Sequence, residues 1–532
     1  MPPYRFIIKL LLISIIMMMP AFAFVALKWP ATMDYIFYST ALKLFSAQIF
    51  SGEIYPRWLM NANYGLGSPI FLFYPPISFY IASLFEFISD YDKNGFLRVL
   101  LSMLLAIFIS GITTYRWLKS TMEDELAQKM ALLYASFPYM IIVIYVSYSP
   151  PQLWSLAFLP LLLKASQEMT IKGWRSIPKL GIFYALLALT HLPTTLVFCP
   201  IPIIYTIIFT AKGKRIIHGA MAGFSAILGV GLSAICLIPT FLNKTYIGTD
   251  HFTQNQFNYQ NNFLNSLMII GFFATILPLF IFYWENRKSI SNPFPTIIRF
   301  WLIIIATSFF MITPLSLPIW SIISPLQYLQ FPWRFYNAII PAIIYVIGYW
   351  MTTSTKLRDL FKYITIVYFI LFSIYSYNTL FIENNKFSLL HDNNLIFAPE
   401  YNTVWENKAD IKNSATPEMN APKLPTIIEG KGNVSILSEN PRLITIYGDI
   451  ESKNALVSLK RLYFTGWQTN NAAAIEENSG MLAVRLPNGE SNTTLQLKWF
   501  DGEYEGILLS SISLIIFILL TIFSLNYKIK LQ

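Results

Sequence analysis

Asp34 is the residue whose type and position most suggest chemistry. It follows, by a few residues, an apolar run that ends near Leu27, and it sits in the stretch "MDYIFYSTALKLF". Aromatic neighbours strip water from a carboxylate. Desolvation raises its pKa, as a general base working near neutrality requires. Residues 34–50 also read as an amphipathic helix, with Ile36, Ala41, Leu44, Phe45 and Ile49 as membrane-facing positions. An acid in the first turn of a helix is favoured in its charged form, which pulls the pKa down. The two effects oppose each other, and a solvated charge at a helix end is the competing reading.

Three cationic or titratable side chains stand in segments of similar character. Arg57 lies beside Trp58 in "GEIYPRW", where it suits a phosphate or sugar contact or an Arg-Trp anchor at the lipid headgroups. His191 in "LTHLPTT" suits a phosphate contact, a proton relay or a packed helix end. Arg334 follows Pro332 and Trp333 in "LQFPWRF", and a guanidinium matches phosphate geometry with two parallel hydrogen bonds. Gly65 and Gly67 allow a tight turn or a close backbone approach, and Pro75 and Pro76 end one element and begin another. As metal ligands Asp250 and His251 alone are weak evidence, so the sequence assigns no certain cofactor and leaves a divalent cation open.

The elements that must position these residues are membrane spans. The chain has 532 residues, 55% hydrophobic and 12% charged, with 43 Phe. Soluble proteins carry about 25% charged residues. Runs long enough to cross a bilayer fall at 6–27, 95–116, 129–147, 151–165, 178–191, 193–211, 216–239, 263–284, 297–314, 335–352, 361–381 and 506–526. The first run lacks a convincing cleavage site and reads as a retained span. With the N-terminus inside, the inner segments "PPYRFIIK", "RWLKSTMEDELAQK", "KASQEMTIKGWRSIPK", "AKGKRIIH", "WENRKSISNPFP", "STKLRDLFK" and "NYKIKLQ" all carry Lys or Arg. The outer links "SYSPPQ" and "THLPT" carry none. This is the positive-inside pattern. Residues 69–88 are apolar enough to span, but a crossing there would invert every later loop. They read as a re-entrant or interfacial helix within one long external loop, 28–94.

Residues 382–505 contain no spanning run, and they carry 16 acidic against 11 basic side chains. Alternation in "RLITIYG", "ALVSLKRLYF", "MLAVRLPNGES" and "TTLQLKWF" predicts strands, with Leu482, Val484 and Leu486 on one face and Leu495, Leu497 and Trp499 on another. Asn488-Gly489 reads as a turn signal. The expected architecture is a polytopic α-helical membrane protein of about 12 transmembrane helices with a long first external loop. Residues 1–381 form the transmembrane domain. Residues 382–505 form an external domain, β-rich from about 424 and folded as a small β-sandwich. Residues 506–532 form a last helix and inner tail.

The net charge of +10 sits in short loops and reports topology, with no nucleic-acid signature. Cys199 and Cys236 lie in apolar segments and define no disulfide framework.

Taken together, the external Asp34, "SGEIYPRW", "YGLGSPIFLFYPP", "HLP" and "LQFPWRF" resemble bacterial membrane proteins with a 6-pyruvoyl-tetrahydropterin synthase-related domain. In architecture these look like members of the GT-C glycosyltransferase superfamily. The resemblance covers about residues 1–380, and "SLKRLYFTGWQTN" with "VRLPNGE" extends it into the external domain. It implies an enzyme that takes a sugar from a polyprenyl-phosphate carrier in the bilayer and passes it, with inversion, to a glycan, lipid or protein acceptor at the outer face. Asp34 would be the base. Arg334 and His191 would hold the phosphate, and Arg57 would assist. Similar sequences carry His four residues after the acid. Here that position is Tyr38, a departure from the pattern, and Tyr38 is counted with the phosphate- and substrate-binding candidates. A flippase for a lipid-linked glycan and a noncatalytic envelope-assembly protein are the alternatives.

Overall fold

The computed structural model describes residues 2–26, 33–145, 147–247, 258–263, 280, 284, 295–353, 398, 401–409, 424–471 and 473–529. Among these, seven helical segments are long and apolar enough to cross a membrane: Tyr4–Ala23, Phe96–Leu118, Asp124–Tyr145, Leu192–Phe209, Lys212–Leu232, Pro332–Thr352 and Glu503–Asn526. Thr296–Ile312 and Pro314–Ile322 pass the same test as a pair, bent by 86° at Thr313-Pro314. These eight fall on expected spans. The expected span 151–165 lies on the helix Pro150–Lys172, which begins with a Ser149 cap followed by Pro150 and Pro151. Most of its side chains are buried in the bundle, polar Gln152, Ser155 and Ser166 among them, and these dilute its apolar signal. The span 178–191 is represented by the shorter helix Ile177–Ala188. The span 361–381 lies outside the described residues, as does 263–284 apart from Phe263, Phe280 and Trp284.

Residues 69–88 hold no continuous helix. Ile70–Phe73 and Ile77–Ser83 are separated by Tyr74, Pro75 and Pro76, and Glu86–Ile88 forms one 3-10 turn. Seven residues rise only about 10 Å, far short of a bilayer core of about 30 Å. The helix Met33–Phe50 forms as expected, but most of its apolar residues pack on protein. Ala41, Leu44 and Phe45 are buried, and Phe45 packs on Phe71, Phe79 and Tyr80. Burial among the broken helices replaces the expected contact with lipid.

The C-terminal region is one six-stranded antiparallel sheet where a two-sheet sandwich was expected: β1 Thr426–Glu429, β2 Gly432–Asn440, β3 Leu443–Leu462, β4 Trp467–Thr469, β5 Ala474–Asn478 and β6 Met481–Leu497. β3 and β6 run the whole length, β1 and β2 share the outer edge of β3, and β4 and β5 pair with β6. Asn488-Gly489 is not a hairpin turn. It lies inside β6 at a bulge, where the register steps from Ile450↔Gly489 to Asn454↔Pro487. The Asn488 side-chain amide donates to the Ile450, Glu451 and Ser452 carbonyls across this bulge. Leu482, Val484, Leu486, Leu495 and Leu497 are buried as the alternation predicts, whereas Trp499 lies beyond the strand end and is exposed.

Candidate functional site

The recess is built around the first turn of the helix Met33–Phe50. The Asp34 side chain is open to water, yet protein surrounds it closely enough that burial pushes its carboxyl up to about 6, against the opposing pull of Arg334. Tyr38 lies one helical turn on, on the same face. Its hydroxyl is 2.6 Å from the Tyr74 hydroxyl and 3.4 Å from Ser149 Oγ. Burial, then the Asp34 charge, pushes its phenol up to about 12, so it remains protonated at neutral pH.

Arg334 approaches from the start of the segment Pro332–Thr352. Its Nη1 donates to the Leu329 carbonyl at 2.6 Å, and the guanidinium lies 5.1 Å from the Phe331 ring centroid. Gln330, in the loop that supplies this carbonyl, has a left-handed backbone with φ +59. Among the described residues no carboxylate forms an ion pair with Arg334, while Tyr401, Tyr139, Tyr74 and Tyr38 bear on its charge. Among the described residues this half-enclosed guanidinium is ringed by phenols and has no carboxylate ion-pair partner, an arrangement that suits an anion.

His191 is buried beside Arg334, at the N-cap of the helix Leu192–Phe198. Its Nδ1 accepts from the Thr194 amide at 3.3 Å and lies 2.7 Å from Thr194 Oγ1. An Nδ1 that accepts leaves the ring proton on Nε2. Thr194 Oγ1 accepts in turn from Asn337 Nδ2 at 2.8 Å and Ser155 Oγ at 3.0 Å. Gln152 Nε2 continues the chain, donating to the Asn337 side-chain Oδ1 and to the Tyr139 hydroxyl. Four expected residues, Asp34, Tyr38, His191 and Arg334, thus share one neighbourhood.

Arg57 belongs elsewhere. It is buried, its Nη1 pairs with Glu503 Oε1 at 3.0 Å, its Nη2 donates to the Ile235 carbonyl at 2.6 Å, and it stacks 4.0 Å from the Tyr55 ring centroid. Arg442, in the turn between β2 and β3, also pairs with Glu503, its Nη1 donating to Oε2 and its Nη2 to Oε1. These contacts occupy the guanidinium as a clasp between the first loop, the sheet and the last helix. Gly65 and Gly67 shape their loop as expected, with φ +78 and +94, and a Cβ at Gly67 would overlap the Trp58 indole. Pro76 caps the helix that follows Pro75. Asp250 and His251 lie outside the described residues. Among the described residues no group of three His, Cys, Asp or Glu converges to hold a metal.

The family model described as "6-pyruvoyl-tetrahydropterin synthase related domain; membrane protein" matches residues 71–380, more than half of the chain. The chain belongs to this family. A protein of Lactococcus lactis subsp. cremoris (strain MG1363), described as uncharacterized, is 28% identical over 251 residues, which are 45% of this chain and 40% of its own length. The chain therefore aligns with less than half of that relative. Within the recess, the segment matched to the 6-pyruvoyl-tetrahydropterin synthase-related family supplies Tyr74, His191 and Arg334, and the region before it supplies Asp34 and Tyr38.

Sequence reasoning missed Tyr74, Tyr139, Ser149, Gln152, Thr194 and Asn337. Ser149, Gln152 and Thr194 were visible as polar residues in links free of Lys and Arg. The opposite end of the helical bundle is basic. Lys172 and Lys179 both pair with Glu168, and Ser524 near the end of the last helix bonds the Arg175 carbonyl. The helix Pro150–Lys172, about 35 Å long, runs from the recess to this basic end.

Proposed function

We propose that the chain is a GT-C-type membrane glycosyltransferase that moves a sugar from a polyprenyl-phosphate carrier to an acceptor hydroxyl at the outer face of a bacterial inner membrane. Asp34 takes the acceptor proton as the hydroxyl oxygen attacks the anomeric carbon. The bond from that carbon to the phosphate oxygen breaks, and the sugar inverts. Arg334 receives the charge released on the phosphate, His191 donates from Nε2, and Tyr38 offers a protonated phenol beside the base. The observation that carries the reading is Arg334, a cation with no carboxylate partner among the described residues, acting on the carboxyl of Asp34 within one recess. Twelve spans then place both termini in the cytoplasm and the sheet outside. The separation of the recess from the basic end by one helix length supports that orientation.

The test is Asp34→Asn in the native strain. With unchanged membrane abundance, lipid-linked sugar should accumulate and one surface glycan should lose a residue, as in a deletion strain. Unchanged glycan and lipid pools in both strains would refute the reading and turn attention to a noncatalytic assembly role.

A further inference from the structure

The donor this reading requires has its sugar bonded directly to the phosphate. With the phosphate on Arg334, the sugar must lie within a few ångströms of that guanidinium, on the side facing Asp34. One group close enough to act on the Arg334 charge comes from outside the helical bundle. Tyr401 precedes the short helix Val404–Lys408, on the segment that leads into the sheet. Its ring meets Tyr74 edge-on at 5.4 Å, and Tyr74 in turn touches Tyr38. It bears on the charge of Arg334 and is half-buried, packed against both the core of the bundle and the core of the sheet.

The surrounding contacts hold this segment firmly. Thr403 and Glu406 form a reciprocal capping box, and the buried Glu406 carboxylate also accepts from Asn63 Nδ2 at 3.0 Å. Asn63 begins the left-handed turn that Gly65 and Gly67 complete. Thr403 pairs with Ile247 in an isolated bridge. The segment is thereby tied to the first loop on one side and to the loop after Asn243 on the other.

We infer that Tyr401 is a sugar-binding residue of the recess, a phenol ring that stacks on the pyranose or furanose held between Arg334 and Asp34. The inference rests on the glycosyl-transfer reading. It gives the segment before the sheet a part in choosing the donor. Aromatic faces pack on the apolar C–H face of a sugar ring, and one such contact accounts for up to about tenfold in affinity.

The experiment uses the full-length protein in nanodiscs and measures binding of undecaprenyl phosphate and of a panel of its hexose and pentose conjugates. Tyr401→Leu keeps apolar bulk between the two cores and removes the aromatic face. It should bind bare undecaprenyl phosphate as the wild type does and lose about tenfold on the preferred conjugate. Tyr401→Phe should retain most of that preference. Equal loss on bare and conjugated lipid would make Tyr401 a packing residue and overturn the inference, as would full retention by Tyr401→Leu. A wild type that binds neither lipid would bring down the glycosyl-transfer reading, and the inference with it.

Discussion

The pH profile of sugar transfer tests the electrostatics of the recess most sharply. Asp34 titrates near pH 6 because burial outweighs the pull of Arg334. If the ionised carboxylate is the working base, kcat/KM should climb about tenfold per pH unit well below 6 and level off above about 7. About a tenth of the sites are competent at pH 5 and about nine tenths at pH 7. Arg334→Gln removes a nearby cation that lowers the Asp34 pKa, so the rising limb should move to higher pH. Loss of the anchoring charge should also cut the plateau by about 10²–10³-fold. The two effects separate in a single series of initial rates with polyprenyl-phosphate sugar between pH 4.5 and 9, where the limb reports the base and the plateau reports the anion site. Stability obeys the same linkage. A carboxyl raised in the folded state binds its proton more tightly there, so stability falls as pH rises from about 4 to about 6 and stays lower above. Asp34→Asn should therefore raise the unfolding midpoint at pH 7 while abolishing transfer. A limb near pH 4, or an acid shift in Arg334→Gln, would refute the reasoning.

Other outcomes follow from single contacts. Gly67→Ala places a Cβ against Trp58 at φ +94 and should destabilise the protein by about 1–3 kcal/mol, read as earlier thermal unfolding in detergent. Arg57→Ala leaves Glu503 buried with Arg442 as its remaining cation. It should cost up to about 3–5 kcal/mol and expose the sheet to protease, and a variant as resistant as wild type would show the clasp to be dispensable. In a background lacking Cys199 and Cys236, a cysteine at Asn488 should react with an impermeant maleimide in intact cells and one at Lys119 only after lysis. The reverse pattern would invert the proposed orientation.

Much of the architecture was legible because the bilayer leaves few options. Apolar length and the Lys/Arg bias located the helices, and strand alternation located the buried leucines of β6. The grouping of Asp34, His191 and Arg334 was legible for the same reason, since topology alone placed them on one side. Arg57 misled because an outer arginine has the same sequence signature whether it waits for a phosphate or pairs with Glu503, 446 positions away. Asn488-Gly489 misled because left-handed backbone serves a bulge as well as a turn. Phe45 looked like a lipid-facing position because the broken helices that cover it carry no periodic signal. Tyr401 was invisible because nothing local links it to a tyrosine more than three hundred residues earlier.

The clasp of Arg57 to Glu503 also bears on biogenesis. The first loop emerges from the ribosome early, and its guanidinium meets Glu503 only after some 446 further positions have been made. Until then this arginine, buried in the folded protein, lacks the Glu503 carboxylate that it pairs with there. A product cut short before Glu503 would keep that unmet charge, a mark by which quality-control proteases could distinguish unfinished copies from finished ones.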